Sequence, residues 1–365
     1  MKLITTGEGF VSEQKAGAVA VGSRCAVTRE GDVLCCFAVQ SALGVNDFVP
    51  TLAVSRDGGM TWSERGPVWP ELAGVSLLFV GLSRSPSREL FLYGTRTPID
   101  APGESFWNEA SGGLKQNELV WARSSDSGRS WSRPSVIPMP QAGAAEAPGP
   151  MCITRRGRWV ACYAPYPTFD PDLRVDRGHV VLLYSDDEGA SWRHTSMMRF
   201  AEPDSGGAEA WVVELADGRL LGACWRLSHT DAREFQNPYA ISTDAGATWQ
   251  PPVSTGILGQ STALAPLDEG GALLVYNQRK HGEIGVWLAA LRPSGAGVSV
   301  EWNQPVWRAE QATQHASSGQ HDDWCDFAFG EPSVAVMPDR SLLVTLWCLQ
   351  PSGRGIRYVK LRPTE

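Results

Sequence analysis

The stretch SRDGGMTW at residues 55–62 sets a serine, an aspartate, two glycines, a threonine and a tryptophan within eight positions. It returns as SSDSGRSW at 124, SDDEGASW at 185 and STDAGATW at 242, all four fitting S-x-D-x-G-x-[ST]-W. A motif that recurs along a chain marks a repeat architecture, and each copy one structural unit. Trp62, Trp131, Trp192 and Trp249 are 69, 61 and 57 residues apart, and Trp302 follows 53 residues later after the degenerate stretch LRPSGAGVSVEW. The 63 residues beyond Trp302 leave room for one more unit.

Each copy reads as a tight turn. The aspartate accepts backbone and hydroxyl hydrogen bonds, the glycine takes a positive φ, and the tryptophan packs back over the turn. Strand signals flank it: AWVVEL, ADG and RLLGACW in unit four; TALAPL, DEGG, ALLVYN and IGVWLAAL in unit five; PSVAVM, PDR, SLLVTLW and IRYVKL in unit six. Three or four short antiparallel strands, repeated six times, predict an all-β six-bladed β-propeller with four-stranded blades. The sixth unit lacks a fourth strand. Residues 2–12 are expected to supply it, closing the ring within one domain over 1–365 and removing two open sheet edges.

With 42% hydrophobic residues in 365, the chain can bury a large core. Its net charge of −8 disfavours nucleic acid or an anionic membrane as the main partner. No apolar run approaches the roughly 18 residues of a membrane span. The opening MKLITTGEGFVSEQ lacks a charged-then-apolar leader, so a cytoplasmic location is expected. The eight cysteines lie mostly in apolar runs such as VLCCFAV, without a CxxC pair, and read as reduced, buried thiols.

In an up-and-down blade, the turn after strand three lies on the same face as the turn after strand one. The four boxes are therefore structural. The opposite face collects the beginnings of strands one and three and the ends of strand two, so chemistry is expected there. Glu209 begins strand one of blade four, eight residues before Asp217; Glu331 stands eight before Asp339 in blade six, and Gln260 eight before Asp268 in blade five. Arg226 and Arg279 close the second strands of blades four and five, Asp47 precedes the third strand of blade one, and Arg24 lies in the first. Two glutamates, an aspartate and three arginines thus converge on one channel mouth. His315, His321, Asp322, Asp323 and Asp326 in QHASSGQHDDWCDF have no diagnostic ligand spacing and read as a polar loop, so no metal is assigned. Tyr163, Tyr166, Trp107 and Trp324, in or beside long loops, either stack on a ligand or cover the rim.

The four boxes resemble the Asp boxes, or BNR repeats, of the sialidase superfamily, and the resemblance extends over nearly the whole chain. ELADGRLL after Glu209, GPMCITRRGRWVACYAP at 149 and LLVYNQR at 273 are similar to further segments of that family. The resemblance implies an exo-glycosidase that needs no cofactor and acts on a small carbohydrate with a terminal acidic or polar sugar. Sialidases bind the substrate carboxylate with three arginines, attack with a tyrosine assisted by a glutamate, and use an aspartate of blade one as acid/base. By that resemblance Glu209 is the assisting glutamate, Asp47 the acid/base, and Arg279 and Arg226 members of the arginine set, with Arg24 a deeper third. Arginine suits the task because its planar fork grips a carboxylate bidentately.

The chain departs from the pattern at three places. Glu331 stands where the family has its tyrosine. Arg226 lies one residue late, which in a strand turns it to the other face unless a bulge intervenes. Arg24 lies about three residues too deep. A glutamate at the tyrosine's place is chemically workable, because paired carboxylates support glycoside hydrolysis with either stereochemical outcome. The exo-arabinanases, on the same Asp-box propeller, are similar in using two glutamates, which here would be Glu209 and Glu331. Two other readings stay open: a carbohydrate-binding propeller without catalysis, and a sugar-acid lyase or isomerase.

Overall fold

The computed structural model describes residues 2–14, 17–202, 204–231, 233–315 and 326–364. His321, Asp322, Asp323 and Trp324 therefore lie outside the described residues. The first strand, β1 (Lys2–Glu13), belongs to the last blade. Blade one is β2 (Val19–Val27), β3 (Val33–Gln40), β4 (Val49–Ser55) and β5 (Ser63–Pro67). Blade two has β6 (Ser76–Arg84) and β7 (Leu90–Pro98), a small hairpin of β8 (Trp107–Asn108) and β9 (Gly113–Leu114), then β10 (Glu118–Ser124) and β11 (Ser135–Ile137). In blade three the inner strand is split into β12 (Ala144–Glu146) and β13 (Cys152–Ile153), followed by β14 (Trp159–Tyr166), β15 (His179–Ser185) and β16 (Arg193–Arg199). Blade four is β17 (Ser205–Glu214), β18 (Leu220–Ser228), β19 (Pro238–Ser242) and β20 (Val253–Ser254). Blade five is β21 (Gln260–Pro266), β22 (Ala272–Gln278), β23 (Gly285–Ser294) and β24 (Gly297–Arg308). Blade six is β25 (Phe329–Val336), β26 (Leu342–Gln350) and β27 (Gly353–Thr364), with β1 paired antiparallel along β27 from Lys2 opposite Thr364 to Glu13 opposite Gly355.

Burial explains the composition of each strand. Second strands such as VLCCFAVQ and ALLVYNQ lie between neighbouring blades and are buried on both faces, which accounts for their unbroken apolar runs. Outer strands such as SERGP face solvent. The core is accordingly a set of layers between blades: Leu34 and Leu52 of blade one meet Leu78, Leu90 and Val120 of blade two, and Phe91 and Leu119 meet Trp159 and Val181 of blade three. The seven described cysteines are free thiols, five of them buried. Among the described residues no helix is long and apolar enough to cross a membrane.

The boxes repeat one hydrogen-bond pattern. Ser55 Oγ donates to Asp57 Oδ1 and accepts the Gly59 amide, while Asp57 Oδ2 accepts the Thr61 hydroxyl at 2.6 Å. Asp126, Asp187 and Asp244 accept the corresponding hydroxyls at the same 2.6 Å. Two successive left-handed residues make each turn: Gly58 and Gly59, Ser127 and Gly128, Glu188 and Gly189, Ala245 and Gly246. Unit five has no such turn. Its outer strands join in a tight hairpin that pairs Ser294 with Gly297, and Trp302 lies within β24 opposite Ala290.

Candidate functional site

The inner strands of blades one, four, five and six each break register once, between Val21 and Arg24, Ala208 and Trp211, Gln260 and Thr262, and Gly330 and Ser333. Each break holds one left-handed residue: Gly22 (φ 66°), Glu209 (50°), Ser261 (49°) and Glu331 (42°). Every one stands nine residues ahead of the left-handed residue of the following turn, Gly31, Gly218, Gly270 and Arg340. A bulge bends the strand and re-aims a side chain, and a non-glycine residue held left-handed marks a backbone constrained by its surroundings. Blade five corrects the sequence register. Its turn, 267–271, is as long as the turn 215–219 of blade four, but Asp268 stands one place earlier in it than Asp217 does, so the place equivalent to Glu209 belongs to Ser261, and Gln260 falls one short. Gly22 has no room for a side chain, since a Cβ there would lie 2.5 Å from the Phe79 ring.

These residues contact one another across the blades. Ser261 Oγ donates to Glu209 Oε1 at 2.8 Å, and the Glu209 amide donates to Glu146 Oε2 at 2.7 Å. Glu331 accepts hydrogen bonds from the Gly22 amide and the Trp347 indole. Burial pushes the Glu209 carboxyl up to about 7, helped by the Glu331 charge and opposed by Ser261, Arg279 and Arg24. Burial also raises Glu331, but Arg24, the Gly22 amide, Arg279 and Trp347 all favour its ionised form. Glu146 is driven well above the usual carboxylate range by burial and then by the Glu209 charge. The Oε2 atoms of Glu209 and Glu331 are buried with no hydrogen-bond partner among the described residues.

All three glutamates line one cavity of about 370 Å³. Blades one and two give it an apolar wall that includes Val21, Phe48, Leu77, Phe79 and Phe106. Set into that wall is Gln40, 2% exposed, whose side-chain oxygen and nitrogen both lack a partner among the described residues. Trp107 and Tyr166 line the cavity as well, the latter beneath the Arg177 guanidinium at 5.2 Å, whereas Tyr163 is packed into the layer between blades two and three.

The remaining predicted residues are distributed as follows. Arg279 reaches the cavity, but its guanidinium is engaged: Nε donates to the Phe329 carbonyl at 3.2 Å, Nη1 to Gln260 Oε1 at 3.1 Å, and the Phe327 ring lies 3.8 Å away. Burial lowers its proton affinity to about 10 against the pull of Glu209 and Glu331. Gln260 thus orients Arg279 and does not line the cavity. Arg24 lies beneath the carboxylates, donating to the carbonyls of Ser23, Glu331 and Pro148. Arg226 turns away, bonded to Ser205 Oγ at 2.8 Å, paired with Glu202 and set between Phe200 and Phe235. The blade-four bulge falls on β17 rather than β18, so alternation stands, and Trp225 lines the cavity in its place. Asp47 Oδ1 accepts the Ser41 amide at 3.1 Å, and its neighbour Phe48 is the one that lines the cavity. His315 Nδ1 contacts Asp326 Oδ1 at 2.7 Å, and no group of three metal-ligating side chains occurs among the described residues.

Sequence reasoning missed Glu146 and Gln40. Glu146 precedes its turn glycine, Gly157, by eleven residues rather than nine, because AAEAPGPM interrupts the inner strand with two prolines. Gln40 ends the second strand of blade one in VLCCFAVQ, nine residues after Gly31 as Arg279 is nine after Gly270, but its burial has no local signature.

Residues 102–320 match the family described as BNR repeat-like domain. No curated protein matches the chain. Among solved structures, a protein of unknown function from Dyadobacter fermentans superposes with a TM-score of 0.75 at 17% identity, over 99% of both chains. The GH93 α-L-arabinofuranosidase of Fusarium graminearum, solved with arabinobiose, gives 0.66 at 12% identity over 98% of both. The NanB sialidase of Streptococcus pneumoniae, solved with 2-[(3-chlorobenzyl)ammonio]ethanesulfonate, gives 0.63 at 12% identity over 98% of this chain and 70% of the other. At these identities the likeness is one of fold, the propeller that such glycosidases use.

Proposed function

The chain belongs to the BNR repeat-like domain family, and from that premise we propose that it is an exo-acting glycoside hydrolase with Glu209 and Glu331 as its working pair. The observation that carries this reading is the pair of glutamates lining one cavity, each with a buried carboxylate oxygen unpartnered among the described residues; burial raises both, Glu209 to about 7, while Arg24, Arg279 and two N–H donors favour the ionised form of Glu331. Two carboxyl groups held in different protonation states are what glycoside cleavage requires. Glu209, retaining its proton up to about pH 7, donates it to the leaving oxygen. Glu331, surrounded by Arg24, Arg279 and two N–H donors, is the ionised carboxylate that attacks the anomeric carbon or activates water. Glu146 holds the Glu209 amide and so fixes the left-handed backbone that aims the acid.

The substrate this site favours is a neutral, polar terminal sugar. The alternative, in which Asp47 is the acid and arginines grip a carboxylate, has less support. Arg279 spends its N–H groups on the Phe329 carbonyl and Gln260, Arg24 commits Nη1 and Nη2 to backbone carbonyls, and Arg226 is paired with Glu202. Gln40, with an unpartnered donor and acceptor on an apolar wall, suits a pair of adjacent hydroxyls.

A panel of aryl glycosides, including arabinosides, sialosides and uronides, tests the proposal. Wild type is expected to release the aryl group from a neutral sugar. Glu209→Gln and Glu331→Gln should lose about 10³-fold or more in kcat while remaining folded, and Gln40→Leu should mainly raise KM. Either Gln variant working at the wild-type rate would overturn the assignment. Binding without turnover across the panel would leave a carbohydrate-binding propeller instead.

A further inference from the structure

The opposite mouth of the channel opens into a second cavity of about 710 Å³, and no described residue lines both cavities. Its lining includes five arginines, Arg24, Arg84, Arg88, Arg155 and Arg340, against two carboxylates, Glu214 and Asp268. On a chain of net charge −8 this is a local excess of positive charge. Some of it is neutralised, since Arg155 pairs with Glu214 and Arg340 with Glu269. Among the described residues, Arg84 and Arg88 have only the backbone carbonyls of Val27 and Arg29 as partners.

The floor carries the decisive feature. Arg24 is 3% exposed and Trp211 5%, with the guanidinium carbon 4.9 Å from the indole ring. Arg24 commits Nη1 and Nη2 to carbonyls, but its Nε is buried without a partner among the described residues. The Trp211 indole N–H is likewise unpartnered, as is the Ser83 hydroxyl on the wall. Three residues lining one basic cavity each hold a buried donor without an acceptor among the described residues. A buried donor is ordinarily satisfied, so what this floor is short of is a group rich in lone pairs.

We propose that this mouth binds a small tetrahedral oxyanion of the phosphate or sulfate kind, with Arg24 Nε and Trp211 Nε1 as floor donors and Arg84 and Arg88 at the rim. A tetrahedral oxyanion accepts from several non-parallel donors at once, which a hydroxyl cannot do, and guanidinium groups match its geometry. The two cavities share no described lining residue, although Arg24 lies between them, with its Nη1 on the Glu331 carbonyl.

Isothermal titration calorimetry of the full chain, with inorganic phosphate and with methyl phosphate, tests the proposal. Saturable binding of one phosphate per chain is expected, weakening with added salt. Trp211→Phe keeps the ring and removes the N–H, and Arg84→Gln/Arg88→Gln leaves the floor intact; each should weaken binding at least tenfold, with circular dichroism verifying the fold. Equal affinity for methyl phosphate would identify a phosphate ester as the ligand class, and binding of inorganic phosphate alone would identify the free ion. Absence of saturable binding, or the same affinity in wild type and both variants, overturns the site.

Discussion

Glu209 occupies a backbone conformation that costs an L-residue roughly 1–2 kcal/mol, and it buries a carboxyl there besides. In the proposed reaction, both features set the acid. Its proton affinity in the fold, about 7, lies above the ordinary glutamate value of 4.5. The stability tied to the protonated form is therefore complete below about pH 4.5 and is lost as the pH rises through about 7. A shift of that size corresponds to about 3 kcal/mol. Glu209→Gln, which mimics the protonated acid, is expected to be more stable than wild type at pH 8 by roughly 2–3 kcal/mol and nearly equal to it at pH 5. Urea denaturation at the two pH values measures this. Wild-type kcat/KM should fall above about pH 7 with the same titration. A stability gain of the same size at both pH values would place the proton elsewhere. The spacing that made Glu209 and Glu331 legible is physical: bulge and turn both need a left-handed residue, and the strand between them has fixed length. Where that length changes, legibility ends, as with Glu146 ahead of a strand broken by prolines; Ser261 was missed because Asp268 stands one place earlier in its turn than Asp217 and Asp339 do in theirs. The engagement of Arg279 and Arg24 by carbonyls was likewise beyond reach, because those carbonyls come from other blades.

At the scale of one element, the Asp box is a turn built around a single carboxylate. Asp126 accepts from the Ser124 and Ser130 hydroxyls and from the amides of Arg129 and Ser130. These donors hold Asp126 and Asp187 down to about 2 against any burial. For a depressed carboxyl the linked stability is present above the ordinary aspartate value and is lost as the pH falls through the folded one. Acid unfolding should therefore be spread between about pH 4 and about pH 2. The double variant Asp126→Asn/Asp187→Asn should show a flatter stability profile over that interval and lower stability at pH 7, followed by circular dichroism. An unchanged profile would mean that the boxes are not where the acid sensitivity lies. The box was the most legible part of the chain because every partner of its aspartate lies within four residues. Unit five shows the converse, since its outer hairpin turns in two residues without a box and its Trp302 carried no turn.

Across the whole molecule, β1 completes the last blade and with it the ring, and the closure reaches the site. Blade six contributes Glu331 from its innermost strand and takes β1 as its outermost. The seam between blades six and one is crossed by Arg24 Nη1 on the Glu331 carbonyl, by Ser333 Oγ on the Ser23 carbonyl at 2.8 Å, and by the Gly22 amide on the Glu331 carboxylate. Outer contacts reinforce it, with Tyr358 Oη donating to the Met60 carbonyl and Lys360 Nζ to the Gly58 carbonyl in the first Asp box. Deleting residues 2–13 leaves β27 as an open edge able to pair with another chain. It also frees blade six to move against blade one. The truncated protein should keep most of its β-sheet signal, associate in a concentration-dependent way, and lose turnover by a larger factor than its fall in Tm accounts for. A synthetic peptide of residues 2–13, added as a separate strand, should restore both behaviours by pairing along β27. Light scattering and the aryl-glycoside assay report the two together. Full activity in the truncated protein would show that the left-handed Glu331 is held by blade six itself, independently of the seam.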